Sequence, residues 1–310
     1  MNSTIDIRDA FFDEIYNYAV RDNDVVIITN DMDIFSLKKF KNDYPHRFIN
    51  IGVAEQNMVN IAAGLASCGK KVLVYGILPF LIYRCFEQLK FNICSMNLPV
   101  VFVGVGTGLG FSYDGPTHHG MHDIGSLNTL SEIDIYSFGD VDSAAQIAKK
   151  IFDNQRPSFI RMDKGPFPKF EDFQNINRNS YNLIKPIKDT NILFSGYMSR
   201  YHHEISNYFS NKGNELGIVD VYGIKPLSDD LRKNVIYPSK KLIIIEESSV
   251  SCGFGSIVSN LIGNEGLNIQ IKNIGLDDKQ IFTYGERDWL LKREKLSIDD
   301  IIESIQSFID

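Results

Sequence analysis

Long apolar runs are missing from this chain of 310 residues. The most apolar stretch, Val72 to Tyr83, is short and is followed by Arg84, Glu87 and Lys90, so no membrane span is expected. The opening MNSTIDIRDAFFDEIYNYAV mixes acids among apolar residues and has no basic start or small-residue cleavage site, which argues against a signal peptide. Basic excess is missing too: 39 acidic against 32 basic side chains give a net charge of −7. That balance excludes a general polyanion binder, and no nucleic-acid partner is expected. Cysteine is scarce. Cys68, Cys85, Cys94 and Cys252 show neither C-x-x-C spacing nor a nearby His at metal-ligand spacing, and read as buried thiols of a reducing cytoplasm. No phosphate-loop motif ending in Gly-Lys-Ser/Thr occurs. Gly104-Val-Gly-Thr-Gly108-Leu-Gly110 fails the dinucleotide fingerprint in either register, and Cys252-Gly-Phe-Gly lacks its third glycine.

What the chain has is an ordinary globular composition, with 44% apolar and 23% charged residues, and a length that suggests two domains. Short β-rich runs alternate with helical patterns. Strands are expected at Val25–Thr29, Arg47–Ile51, Val72–Tyr75, Val100–Val105 and Ser158–Met162. Helices are expected at Ile5–Val20, Glu55–Ser67 (stopped by Gly69), Phe80–Met96 and Val141–Phe152, the last capped by Asp140. A stretch rich in Pro, Gly, Asn and Asp, 164–188, breaks the pattern and reads as an interdomain connection. A second alternating series follows. Its strands are Ile192–Ser195, Gly217–Val221, Leu242–Glu246 and Ile269–Ile274, with helices near Tyr201–Ser210, Asp229–Val235, Phe254–Ile262 and Ser297–Phe308. The fold class is therefore α/β with two domains, each a mostly parallel sheet flanked by helices. The domains are placed at 1–170 and 189–310, with a linker at 171–188.

Three sequence features invite chemistry. Asp114-Gly-Pro-Thr-His118-His119-Gly-Met-His122-Asp123 is the densest polar cluster. It reads as a plain surface loop, as a poor metal site in which adjacent histidines can hardly share one ion, or as a catalytic loop with an imidazole that moves protons or stabilises an oxyanion. Glu55 opens an otherwise apolar helix. It is either an acid favoured at a helix N-terminus or a desolvated carboxyl with a raised pKa, available as a proton donor. Phe80, Tyr83 and Phe86, three apart after Pro79, are either core or an apolar wall for a ring.

The order Ile-Gly-Val-Ala-Glu55-Gln-Asn, Ala-Ala-Gly-Leu-Ala, Pro79-Phe-Leu-Ile-Tyr-Arg, an apolar strand, then Gly-Leu-Gly and Asp114-Gly-Pro-Thr-His-His resembles the pyrimidine-binding half of the transketolase family of thiamine diphosphate enzymes. The remainder, with Val221-Tyr-Gly-Ile-Lys-Pro-Leu, Ile245-Glu-Glu and Gly253-Phe-Gly-Ser, resembles the C-terminal domain of that family. The resemblance implies thiamine diphosphate as cofactor. Glu55 then matches the glutamate that bonds N1′ of the aminopyrimidine and so helps to take the proton from C2. Phe80 matches the aromatic stacked on that ring, with Tyr83 and Phe86 as further ring-lining positions. Asp114 matches an acid that contacts a sugar hydroxyl, and His118 a histidine facing the substrate oxygen, where it stabilises developing charge. His119 and Lys164 complete the substrate-binding set that the resemblance implies.

Two departures from the family pattern matter. The phosphate-binding His of transketolases falls on Gly106, and the Arg of deoxyxylulose phosphate synthases on Thr107; the phosphate-binding Arg after the last strand falls on Lys164. These changes point to a sugar that is unphosphorylated or carries its charge elsewhere, as a nucleotide sugar does. No G-D-G…N motif is found, so the Mg²⁺ (or Ca²⁺) that holds the diphosphate is expected on another polypeptide. The reading is a C-terminal subunit of a split transketolase in an α2β2 heterotetramer, moving a two-carbon unit from ketose to aldose. The rivals are a 2-oxo acid decarboxylase or dehydrogenase β subunit, acyl transfer of the deoxyxylulose phosphate synthase type, and a noncatalytic partner subunit.

Overall fold

A computed structural model describes residues 5–32, 34–170, 176–177 and 180–310. By packing, the chain divides into one unit of residues 1–106, 126–136 and 140–169 and another of 107–125, 137–139 and 170–310. No described helix is long and apolar enough to cross a membrane.

In the first unit the strands Val25–Thr29, Val101–Val105 and Ser158–Met162 are buried at every position. Runs without polar alternation are what a parallel sheet covered on both faces requires. The strands lie in the order Asp134–Ser137, Ser158–Met162, Val101–Val105, Lys71–Ile77, Val25–Thr29, Phe48–Asn50. The last five are mutually parallel. Their carboxyl ends therefore share one edge of the sheet.

The Ile7–Arg21 helix buries Ile7, Phe11, Phe12, Ile15 and Ala19 along one stripe and packs on the Val141–Ala148 helix. It begins two residues later than expected. Ile5 and Asp6 instead pair antiparallel with Phe167 and Pro166, and Asp6 caps the helix by accepting from the Arg8 N–H. The Glu55–Ser67 helix has the expected bounds. Gly69 closes it in a left-handed conformation (φ +84°), with the Gly69 N–H on Ala66 and the Lys70 N–H on Leu65. Asp140 caps Val141–Ala148, which then tightens into a 3₁₀ turn at Ile151–Asp153.

The single helix expected at Phe80–Met96 is not formed. Leu78–Tyr83 and Phe86–Gln88 are separate α-helical pieces, and Leu89–Cys94 is wound as a π-helix. The break falls at Cys85, whose φ of −124° is off the helical value. Its thiol takes the Leu81 carbonyl at 2.9 Å, the acceptor that its own N–H would use in a continuous helix.

The second unit holds a six-stranded sheet in the order Gln270–Leu276, Lys241–Ser249, Thr190–Ser195, Gly217–Val221, Tyr181–Lys185, Ile176–Asn177. The first four are parallel; Tyr181–Lys185 is antiparallel to Gly217–Val221, and Ile176–Asn177 is antiparallel to Tyr181–Lys185. The segment 171–188, read as linker, thus contains a strand of the sheet at Tyr181–Lys185, while residues 171–175, 178 and 179 lie outside the described residues. Its Asn182, which looks like a surface residue in the sequence, is fully buried and donates to Asp220 Oδ2 at 3.0 Å. Short helices at Asp123–Asn128 and Arg287–Arg293 also escape the sequence pattern. The expected helix at Asp229–Val235 is a short α turn continued as a π turn. The final helix, Ile298–Ile309, is capped by Ser297 with a reciprocal Asp300 contact.

Candidate active site

Ligands of parallel α/β sheets gather outside the carboxyl ends of the strands. At that edge of the first unit, Asn30 follows Val25–Thr29, Glu55 follows Phe48–Asn50 by a short loop, and Pro79-Phe80 follows Lys71–Ile77. Glu55 is 4% exposed at the start of its helix. In sequence an apolar run, Ile51-Gly-Val-Ala54, precedes it and Gln56 and Asn57 follow it, but the groups that hold it come from elsewhere in the fold. Asn30 Nδ2 and Arg84 Nη1 both donate to Oε1, each at 2.9 Å. Among the described residues no donor reaches Oε2. Val53, Ala54, Glu55, Gln56, Asn57 and Arg84 line a cleft of about 480 Å³.

Arg84 does two jobs. While bonded to Glu55, its guanidinium lies 4.0 Å from the centre of the Phe80 ring. Phe80 and Glu55 are thereby tied into one group, and one face of the Phe80 ring is taken by the cation. Phe86 is half-buried and Tyr83 is exposed, so of the three aromatics none is core in the full sense. Neither Asn30 nor Arg84 is among the residues singled out from the sequence. Both carried a signal: Asn30 places an amide directly after a buried strand, and Arg84 ends an apolar run.

The histidine cluster belongs to the second unit. Residues 108 to 120 form a loop closed by paired bonds between Gly108 and Gly120, at 3.0 and 2.8 Å. Gly115 must be glycine twice over. Its φ is +72°, and a Cβ there would meet the Tyr284 ring at 2.6 Å. Its carbonyl accepts from the amides of both His118 and His119. The two histidines then differ. His118 is half-buried, with Nδ1 2.9 Å from the Thr117 hydroxyl and its ring edge-on to Phe111. His119 is 5% exposed, and among the described residues neither ring nitrogen has a hydrogen-bond partner. Desolvation, with the neighbouring His118 charge second, lowers its pKa against a smaller opposing effect of Asp114, so it stays neutral. Asp114 is exposed. His122 lies 3.4 Å from Asp278. Among the described residues no three His, Cys, Asp or Glu side chains are gathered to hold a metal ion.

The anchor positions are as informative. Lys164, at the carboxyl end of Ser158–Met162, is exposed, and its amide is held by the Asp163 carboxylate at 2.8 Å. Thr107 is buried. The thiol reading needs one correction: Cys85 and Cys94 are buried and Cys252 is partly so, but Cys68, the C-cap of the Glu55–Ser67 helix, is exposed.

Residues 3–169 match the family model described as transketolase, pyrimidine binding domain, and residues 181–300 the one described as transketolase, C-terminal domain. An apulose-4-phosphate transketolase subunit of Phocaeicola vulgatus is 27% identical over 312 residues, covering 99% of each chain. The 1-deoxy-D-xylulose-5-phosphate synthase 2 of Geobacter sulfurreducens is 30% identical over 96% of this chain but only 48% of its own length, so this chain spans about half of that relative. A solved structure described as a split gene transketolase, inactive beta4 tetramer, superposes with a TM-score of 0.85 at 24% identity, covering 98% of both chains.

Proposed function

Because this chain belongs to the transketolase family and carries both its pyrimidine-binding and its C-terminal domain, we propose that it is the subunit of a two-chain, thiamine diphosphate-dependent ketol transferase that activates the cofactor. The observation that carries this is the Glu55 carboxyl, buried and held through one oxygen by Asn30 and Arg84, with its second oxygen unclaimed in a cleft. A carboxyl so held suits a ring nitrogen that must gain and lose a proton. Thiamine diphosphate, when bound, supplies a nucleophilic carbon and an electron sink. Glu55 would hold the proton at N1′. Phe80, Tyr83 and Phe86 would line the ring, and the Arg84 cation would fix both Phe80 and Glu55. His118, with Asp114, would bind the hydroxyls and the developing oxyanion of the sugar, and neutral His119 and Lys164 would complete the substrate contacts.

The Mg²⁺ and diphosphate contacts are assigned to a second subunit, in an α2β2 assembly. This assignment is supported by the relative of matching length, whose name makes it one subunit of a transketolase. Four free thiols, one of them exposed, fit a reducing cytoplasm. The sugar acceptor is one that is unphosphorylated or carries its charge elsewhere, since Gly106 and Thr107 stand where the family's phosphate-binding side chains would be.

The test is to purify the chain with its partner subunit, isolated by tagged pull-down from the native cell, and to supply thiamine diphosphate, Mg²⁺ and paired ketoses and aldoses. Two-carbon transfer at kcat/KM above about 10⁴ M⁻¹s⁻¹ for one pair is expected, with loss of about 10²-fold or more in Glu55→Gln. Turnover of pyruvate in place of a ketose would favour acyl transfer, the reading that the similarity to a synthase supports. Undiminished activity of Glu55→Gln would exclude both.

A further inference from the structure

The loop that carries Asp114, His118 and His119 is exposed at its tip and buried at its neck, and one ion pair grips the neck. Glu247, at the end of the Lys241–Ser249 strand, is 4% exposed; Arg287, at the start of the Arg287–Arg293 helix, is 13% exposed. The guanidinium forks onto the carboxylate, with Nε donating to Oε1 at 3.0 Å and Nη2 to Oε2. Each partner then reaches the neck. Glu247 Oε1 accepts from the Leu109 N–H at 3.1 Å, and Arg287 Nη2 donates to the Thr107 carbonyl at 3.4 Å. Between them Gly108 sits so close that a Cβ would lie 2.6 Å from the Glu247 carboxyl. The far side of the guanidinium is stacked 3.4 Å from the Tyr197 ring centre. On the return limb, Met121 accepts from the Ser249 N–H at 2.8 Å, and Leu109 and Met121 are both buried in the core of the second unit.

We propose that Glu247 and Arg287 are positioning residues for the reaction. They set where the histidine loop sits by clamping residues 107–109, a role that rests on the ketol-transfer reading for its kinetic consequence. A buried ion pair contributes little net stability, because desolvation offsets its attraction. Its bidentate geometry does fix direction. A carboxylate that accepts from a backbone amide while locked by a fork leaves the neck one conformation, and a displacement of about 1 Å at His118 is enough to cost about 10²-fold in rate.

The test uses the complex with the partner subunit and the variants Arg287→Met, Arg287→Lys, Glu247→Gln and the neutral double variant Glu247→Gln/Arg287→Met. Hydrogen exchange of peptides covering 107–121 is expected to speed up at least about tenfold in Arg287→Met and Glu247→Gln, with peptides covering 55–67 unchanged. kcat is expected to fall at least about tenfold with cofactor affinity unchanged. Arg287→Lys is expected to recover part of the loss, since it keeps the charge but not the fork. The double variant is expected to fold as stably as either single one, having no unpaired buried charge, yet to stay slow. Wild-type exchange at 107–121 in both single variants would overturn the clamp, as would a loosened loop with unchanged kcat. An inactive wild-type complex counts against the ketol-transfer reading alone, since the exchange comparison still decides whether the pair holds the loop.

Discussion

At the scale of single residues, the informative contrast is between Glu55 and the groups that hold it. Arg84 is half exposed, so its ion pair with Glu55 is partly screened by solvent and contributes little to folding. Its value is directional: it holds one carboxyl oxygen and one face of Phe80. Replacing Arg84 by Met is therefore expected to lower kcat by about 10- to 100-fold, the range of a hydrogen bond to a charged group, while the thermal midpoint stays within about 1 °C. A large drop in midpoint with normal turnover of the remaining folded protein would show a structural role instead. His119 illustrates the opposite case. Among the described residues its ring has no hydrogen-bond partner, and burial lowers its pKa, so in the proposed substrate contact it would act as an uncharged ring.

Secondary-structure elements set the local geometry and carry their own titration. Asp140 caps the Val141–Ala148 helix, accepting from the amides of Ser143 and Asp142 at 3.1 and 3.2 Å. It is wholly buried, and desolvation pushes its pKa up to about 6 despite those bonds. An acid whose folded pKa lies above its unfolded value, about 3.9, binds its proton more tightly when folded. The stability it contributes is present below about pH 4 and is lost as pH rises through about 6. Asn caps as well as Asp and does not titrate. Unfolding in urea at pH 4.5 and pH 7 should therefore show the wild type losing about 2 kcal/mol relative to Asp140→Asn over that interval. Parallel pH dependences in the two proteins would refute the assignment. The broken Leu78–Cys94 segment belongs to this scale as well. The break at Cys85 ends the first helical piece just after Arg84, the residue that bonds Glu55.

At the scale of the whole molecule, the residues proposed to activate the cofactor would form one half of the proposed site. Ligand binding to the folded state raises stability by RT ln(1 + [L]/Kd), about 2.7 kcal/mol at a hundredfold excess over Kd. For units of this size, where 1 kcal/mol moves the midpoint by about 2–4 °C, that is a shift of about 5–10 °C. Thiamine diphosphate with Mg²⁺ is expected to raise the melting temperature of the complex by that amount and to leave the isolated chain unchanged. An equal shift in the isolated chain would mean that it binds the diphosphate itself, and the second subunit would lose its assigned role.

The alternation of strands and helices, the buried parallel runs, the caps at Asp140 and Ser297 and the stop at Gly69 were all legible in the sequence, because periodicity and terminal chemistry are local properties. The motif residues Glu55, Phe80, Asp114 and His118 were legible as a pattern. Other features were decided by the tertiary structure alone. Asn182 looks like a linker residue until Asp220 is found opposite it. Glu55 follows an apolar run in sequence, yet its partners Asn30 and Arg84 lie 25 and 29 positions away, one just after the Val25–Thr29 strand and one at the end of the Leu78–Tyr83 helix. Glu247 and Arg287 are 40 residues apart from each other and well over a hundred from the loop they grip. Hydrogen bonds and ion pairs act over a few ångströms in space, whatever the separation along the chain. The sequence by itself therefore determined which elements form and which residues are chemically able, and only the fold decided which of them hold one another.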